Sequence, residues 1–195
     1  MSKRIALLSA VAFSALALTA SVIAPASAED KKMPKSELSG EKTVMVGGAA
    51  MFPSKNIIQN AVNSKDHTTL VAAVKAAGLV ETLEGKGPFT VFAPTNAAFG
   101  KLPAGTVDTL VKPENKPTLT KILTYHVVPG KLEASNLTNG KKLKTVEGEE
   151  LTVKLADGKV WIVDAKGGSS SVTIANVNQS NGVIHVVDTV LMPAS

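Results

Sequence analysis

Residues 87–99, GPFTVFAPTNAAF, carry the strongest signal for the fold of this chain. A short apolar run at residues 89–93 lies between Gly-Pro and a second proline, which predicts a buried β-strand. Pro94 cannot extend a hydrogen-bonded ladder, and the Thr95 side chain favours a helix N-cap. The stretch therefore predicts a strand that runs directly into a helix, with Phe99 packing back on the core.

Helical patterns precede and follow this stretch. Apolar residues repeat at helical spacing over residues 57–62, 70–77 and 119–123. Gly78 stands where a left-handed C-cap is wanted, and Asp66 or Thr68 can cap the start of the second helix. Pro117 suits the first turn of the third helix.

The second half of the chain has the pattern of β-strands. Apolar and polar residues alternate over residues 151–155 and again after Asp-Gly at residues 157–158, a pair that tolerates the positive φ of a tight hairpin. Residues 172–177 and 183–191 predict a second strand pair, with Asn-Gly at residues 181–182 as its turn. Helices first and strands afterwards predict an α+β fold.

Residues 1–28 have the order of a cleavable secretory signal peptide. Lys3 and Arg4 precede an apolar stretch, and ASA at residues 26–28 supplies the cleavage site. The most apolar part, residues 5–18, is short for a bilayer span of about 20 residues. This length disfavours the alternative of a membrane anchor.

The sequence behind the predicted cleavage site divides into two parts. Residues 29–50 contain few large apolar residues, which predicts a flexible polar linker. Residues 51–195 carry the helix and strand patterns and form the single predicted domain. The chain has 21 Lys and Arg against 16 Asp and Glu, and the predicted signal contains Lys3 and Arg4. The remaining charge gives no argument for a nucleic-acid partner.

The chain contains no cysteine. Disulfides, thiol catalysis, cysteine-ligated zinc and a lipid-modified cysteine are therefore all excluded. The sequence also lacks a second apolar span. We expect a monomer that is secreted or periplasmic after signal removal, with no stable membrane anchor.

Two further motifs accompany residues 87–99. Residues 125–130 are YHVVPG, and residues 181–193 are NGVIHVVDTVLMP. The three motifs, in this order and spacing, resemble those of the fasciclin domain family, and DHTTL at residues 66–70 resembles the family's opening. The resemblance covers roughly residues 54–193.

The resemblance implies a fold and a function. The implied fold is a compact wedge of two packed β-sheets with helices on one side. The family is extracellular, acts mostly in cell adhesion or matrix binding, and is not known for catalysis. Small bacterial members with a signal peptide and one domain resemble secreted surface antigens and adhesion proteins.

The sequence contains four candidate binding residues. A histidine at position 126 can donate to a backbone carbonyl and lock a helix-to-strand join, which is the structural expectation for His126. The alternative, implied by the resemblance to integrin-binding animal domains, places Tyr125 and His126 on an adhesive surface. An Asp-Ile motif of animal relatives matches Asn176 and Val177 here. Since the carboxylate is missing, we expect a different partner, or adhesion through another face.

The sequence shows no catalytic or metal-binding constellation. His67, His126 and His185 lack ligand spacing, and no Gly-x-Ser-x-Gly elbow occurs. The glycine-serine run at residues 167–171 lacks the lysine of a phosphate-binding loop. We therefore expect no catalytic residue, no metal and no cofactor, and a protein that is not an enzyme.

These observations predict a binding module for cell adhesion, biofilm or attachment to a cell surface or matrix. The expected partner is a surface or matrix protein or a polysaccharide. One alternative is a small-ligand binding protein or unrecognised enzyme that uses a pocket in the wedge. Another is an envelope stress protein without an adhesive partner. Lys141, Lys142 and Lys144 form a basic cluster, expected to be a solvated turn, with weak attraction to anionic polysaccharide or lipid as the alternative.

Overall fold

The structure, a computed structural model, describes residues 42–194. The predicted signal peptide and residues 29–41 of the predicted linker lie outside the described residues. The α-helices are α1 (Ile57–Ala61), α2 (Thr68–Ala77), α3 (Val80–Glu84), α4 (Asn96–Gly100), α5 (Thr106–Leu110) and α6 (Lys116–Tyr125). The strands are β1 (Val44–Val46), β2 (Ala49–Met51), β3 (Phe89–Pro94), β4 (Val127–Pro129), β5 (Lys142–Lys144), β6 (Glu150–Ala156), β7 (Lys159–Val163), β8 (Ser169–Gln179) and β9 (Gly182–Val187).

The folded part begins earlier than the sequence predicts. Strands β1 and β2 pair as an antiparallel hairpin within the range assigned to the linker. Val46 and Met51 are each only 3 % exposed and pack into the core beside the helices. The predicted linker boundary at residue 50 therefore moves to a position before Val44, because this short hairpin buries enough apolar surface to be ordered.

The predicted helices before and after residues 87–99 are confirmed. Thr95 caps α4 by accepting a hydrogen bond from the Ala98 N–H, and Gly78 ends α2 at φ 74°. The start of α2 differs from the prediction. Neither Asp66 nor Thr68 caps it; instead the Asn96 side chain accepts from the Thr69 N–H at 3.0 Å. A cap supplied from another helix cannot be read from local sequence.

Seven strands form one continuous ladder in the order β4-β3-β9-β8-β7-β6-β5. Strands β3 and β9 pair in parallel, and every other pair in the ladder is antiparallel. The long strand β8 pairs with β7 at its start and with β9 along the rest. The far ends of the ladder also meet, since the Val146 N–H donates to the Val127 carbonyl at 2.8 Å.

The bend in β8 turns this ladder into two packed sheets. Its register with β9 shifts between Val172 and Ile174 and again between Ile174 and Val177. Asn176 in the second shift has φ 58°, a left-handed conformation that asparagine tolerates better than most residues. The two sheets share β8 and form the wedge, with the helices on one side, so the predicted α+β class is confirmed.

The alternation of β3 divides the core in two. Val91 and Ala93 face the helices, where they join residues of α1, α2 and α6. Phe92 points the opposite way into the interior of the wedge and packs with Leu151 of β6 and Ile162 of β7. These two strands belong to the sheet of β5, β6, β7 and the start of β8, called the hairpin sheet below. Because successive strand side chains alternate, one strand serves as the wall between both cores.

The starts of β3 and β9 approach too closely for side chains. A Cβ at Gly182 would overlap the carbonyl oxygen of Phe89, and a Cβ at Gly87 would overlap that of Asn181. Both obstacles are backbone atoms and cannot swing aside. Residues 180–181 form the turn, so the predicted Asn-Gly turn is displaced by one residue and Gly182 is the first residue of β9.

Candidate functional site

Tyr125 lies at the end of α6 with its side chain inside the wedge. It is 0 % exposed, and its hydroxyl accepts from the Ala165 N–H at 2.8 Å while donating to the Glu150 carbonyl at 3.4 Å. Burial raises the pKa of Tyr125 to about 12, against the opposing hydrogen bond from Ala165 and with added effect from Asp164. The phenol stays neutral and joins α6 to two segments of the hairpin sheet.

His126 joins the end of α6 to the segment after β9. It is 2 % exposed, and its Nδ1 donates to the Ile122 carbonyl at 2.8 Å. Its Nε2 accepts from the Leu191 N–H at 3.0 Å. This pair of bonds requires the neutral tautomer with the proton on Nδ1. Burial lowers the pKa of His126 to about 4, although the Ile122 carbonyl and Asp164 act to raise it.

Asn176 and Val177 lie at the bulge of β8. The Asn176 side-chain oxygen accepts from the Ala134 N–H at 2.7 Å, and Val177 is only 1 % exposed. Asn176 therefore fastens the bulge to a neighbouring turn. Of the four candidate binding residues, Tyr125, His126 and Val177 lie in the interior, and the four do not form a surface that a partner could contact.

The three histidines are held separately. His185 stacks on Phe92 with ring centroids 5.7 Å apart, donates from Nε2 to the Leu132 carbonyl at 2.7 Å and accepts from the Asn176 N–H at 3.4 Å. His67 Nδ1 pairs with the Ser64 hydroxyl at 2.9 Å. Burial lowers the pKa of both His67 and His185. Within residues 42–194 no three metal-ligating side chains come together.

An apolar cavity lies between the helices and the sheet. It encloses about 40 Å³ and is lined mainly by residues of the helix-side core, together with His67, Phe92 and His126. Pockets for drug-sized ligands are roughly 300–1,000 Å³. As it stands, the cavity is far too small for such a ligand.

A polar groove of about 540 Å³ surrounds the turn between β8 and β9. Several of its side chains already serve the fold. Asn56 and Gln59 form the capping box of α1, and Asn181 donates to the Leu83 carbonyl at 2.7 Å and accepts from the Ile57 N–H at 3.1 Å. These contacts connect helices to the sheet, so the main role of the side chains that line this groove is structural.

A groove of about 400 Å³ lies on the outer face of the hairpin sheet. Trp161 of β7 is partly exposed there and stands directly opposite Lys154 of β6 and Ser171 of β8. The groove is lined by Lys154, Ala156, Asp157, Trp161, Val163, Gly167 and Ser169. The sequence reasoning did not single out Trp161. The available signal was strand alternation: Ile162 faces the core, so Trp161 must face outward.

A helix layer packed on a wedge of two sheets that share a bent strand defines the class, an α+β domain without alternating β-α-β units. Residues 65–193 match the family described as Fasciclin domain, and the chain belongs to the fasciclin family. The predicted resemblance is thereby confirmed.

The comparisons include bacterial relatives and a solved structure. Protein sll1483 of Synechocystis sp. is 52 % identical over 153 residues, which are 78 % of this chain and 82 % of that protein. Cell surface glycolipoprotein MPB83 of Mycobacterium bovis is 38 % identical, over 76 % of this chain and 64 % of that protein. The solved FAS1 domain pair of the insect cell adhesion molecule Fasciclin I has a TM-score of 0.64 at 18 % identity. The alignment covers 72 % of this chain and about half, 52 %, of that structure.

Within residues 42–194, the helices are too short or too polar to cross a bilayer.

Proposed function

We propose that the chain is a secreted or periplasmic fasciclin module that attaches to a cell surface or matrix and catalyses no reaction. Family membership and the names of two similar proteins, a cell surface glycolipoprotein and a cell adhesion molecule, support this function. The proposed layout is a signal peptide at residues 1–28, a short linker and one monomeric domain that starts at the β1–β2 hairpin.

The observation that carries the proposal is that the motif side chains lie in the interior, whereas an aromatic side chain lies on the outer face of a sheet. Buried hydrogen bonds occupy polar atoms of the motif side chains Tyr125, His126 and His185. These side chains therefore stabilise the fold. The outer face of the hairpin sheet instead presents a partly exposed aromatic residue beside polar groups, the composition typical of a contact site. Attachment is therefore assigned to that outer face.

The rival function, a small-ligand carrier or enzyme with a pocket in the wedge, has less support. The buried cavity of about 40 Å³ would have to open severalfold to accept a metabolite. Its lining is apolar apart from His67 and His126. Both ring nitrogens of His126 are hydrogen-bonded, and in His67 only Nε2 has no partner among the described residues. It offers no convergent polar groups to orient a substrate.

Gene deletion with complementation tests the proposal. The deletion strain should lose cell–cell or cell–surface attachment, and the full chain should restore it. A chain that lacks residues 1–28 should stay in the cytoplasm and fail to restore attachment. Unchanged attachment in the deletion strain across static and flow biofilm assays would refute the proposal.

A further inference from the structure

Trp161 occupies a position that the fold does not explain. It is the only tryptophan of the chain, and it lies on the outer face of β7, turned away from the core that Ile162 fills. Its indole nitrogen is covered, yet it has no hydrogen-bond acceptor among residues 42–194. Because the nitrogen is covered, the exposed part of the side chain is carbon. A large aromatic residue with an unsatisfied N–H on a sheet face points to a binding role.

The groove around Trp161 combines apolar and polar groups. Val163 and Ala156 extend the apolar floor, while Lys154, Asp157 and Ser169 supply donors and acceptors. One ammonium and one carboxylate leave the lining without net charge. Asp157 is fixed at the rim by the hairpin turn, where its φ is 52°.

The geometry excludes two other kinds of partner at this site. Lys154 and Trp161 stand opposite each other within the β6–β7 ladder, so a partner on this face contacts side chains and does not add a strand between them. Nucleic acid and anionic polymers need a cluster of cations, and the lining has only Lys154, balanced by Asp157. A partner with a flat apolar side and a rim of neutral hydroxyls fits the lining.

We propose that this groove, the Trp161 groove, binds an uncharged polysaccharide built from β-linked pyranoses with equatorial hydroxyls. Such a sugar ring has a face of C–H groups that packs on the indole carbons and hydroxyls that reach Lys154, Asp157 and Ser169. The inference rests on the proposed function, since it names the partner of the attachment face.

Because Trp161 is the only tryptophan of the chain, its fluorescence reports directly on binding in the groove. Cellohexaose added to the full mature chain should change Trp161 fluorescence in a saturable way, with a dissociation constant on the order of 1 mM for a site this small. In affinity electrophoresis, soluble hydroxyethyl cellulose should retard the protein. Polygalacturonate, an anionic polymer, should not. Retardation by polygalacturonate alone, or no response to cellohexaose, overturns the proposal.

Variants locate the site. Trp161→Ala should bind at least about tenfold more weakly, as expected for loss of a central aromatic contact. Lys154→Ala/Asp157→Asn changes only exposed side chains and should weaken binding severalfold. Met45→Ala, at a residue that is 60 % exposed on β1, is the matched control and should bind as wild type. If Trp161→Ala is misfolded by circular dichroism, the Lys154/Asp157 variant decides. If the variant used for this decision is retarded by hydroxyethyl cellulose as strongly as wild type, the site lies elsewhere.

The cell assay separates this inference from the proposed function. If deletion abolishes attachment but the protein binds no cellohexaose, the polysaccharide site is refuted and attachment stands. If Trp161→Ala loses cellohexaose binding but the deletion strain attaches normally, the site stands and the attachment function is refuted.

Discussion

The Nε2 atom of His126 accepts a hydrogen bond from the backbone N–H of Leu191 at 3.0 Å, across 65 positions of sequence. Since Nδ1 of the same ring donates to the Ile122 carbonyl, one imidazole fastens the C-terminal segment to the end of α6. A protonated ring would have no acceptor lone pair for Leu191. The contact therefore depends on the charge state of His126.

We expect the fold to lose stability in mild acid. The unfolded chain protonates His126 near its ordinary pKa of 6.5, whereas the buried ring resists protonation until about pH 4. The stabilisation is complete above pH 6.5 and is lost as the pH falls toward 4, by about 3 kcal/mol. Urea unfolding at a series of pH values measures it.

The pH effect can be assigned to one residue. Burial also lowers the pKa values of His67 and His185, so these two histidines likewise make the fold less stable as the pH falls. His126→Gln keeps an amide that can donate and accept, so the variant should show a shallower loss between pH 6.5 and 4. A slope identical to that of wild type would contradict the role of His126.

Tyr125→Phe should destabilise the fold without affecting attachment. The change removes the acceptor of the Ala165 N–H and the donor to the Glu150 carbonyl, and it costs roughly 1–3 kcal/mol. Urea unfolding at pH 7 measures the loss, and the attachment assay should give the wild-type value. An unchanged unfolding midpoint with lost attachment would show that the hydroxyl acts on a partner instead.

Gly182→Ala should prevent folding or destabilise it severely. Its Cβ would overlap the Phe89 carbonyl where the two parallel strands begin, and backbone cannot yield without breaking the pairing. Gly100→Ala is the matched control, because a Cβ there meets nothing within 4 Å. Soluble yield and thermal unfolding compare the two variants. Equal behaviour would contradict the close approach.

Asn176 offers a test that separates backbone conformation from hydrogen bonding. Asn176→Gly keeps the left-handed φ of 58° but loses the acceptor for the Ala134 N–H. Asn176→Ala loses the acceptor and also disfavours the left-handed φ, so it should be less stable than the glycine variant by about 1 kcal/mol. Denaturant unfolding of the two variants gives the difference, and the reverse order would show that φ is not the constraint.

Local signals in the sequence were sufficient for individual elements. Thr95, Gly78 and the Asp-Gly turn each act on their immediate neighbours, and the structure places each as predicted. Contacts between distant residues had no such signal. The Asn96 cap of α2 and the bulge at Asn176 depend on residues far away in sequence, so pattern and spacing could not reveal them.

The candidate site was predicted less well than the fold. The motif residues Tyr125 and His126 drew attention because their chemistry is versatile, but the same polar atoms serve buried backbone groups. The structural expectation for His126, a donor to a backbone carbonyl at the helix end, agrees with the observed bond. Trp161 was overlooked because a single aromatic residue in an alternating strand looks like core until the facing of Ile162 is known.

The parallel pairing of β3 with β9 has a consequence for the time at which the domain can form. Strand β3 is the wall between the two cores, but its parallel partner β9, Gly182–Val187, is synthesised long after it. A nascent chain still attached to the ribosome near residue 180 cannot complete either core. Both cores can therefore close only once Gly182–Val187 has left the ribosome and paired with β3.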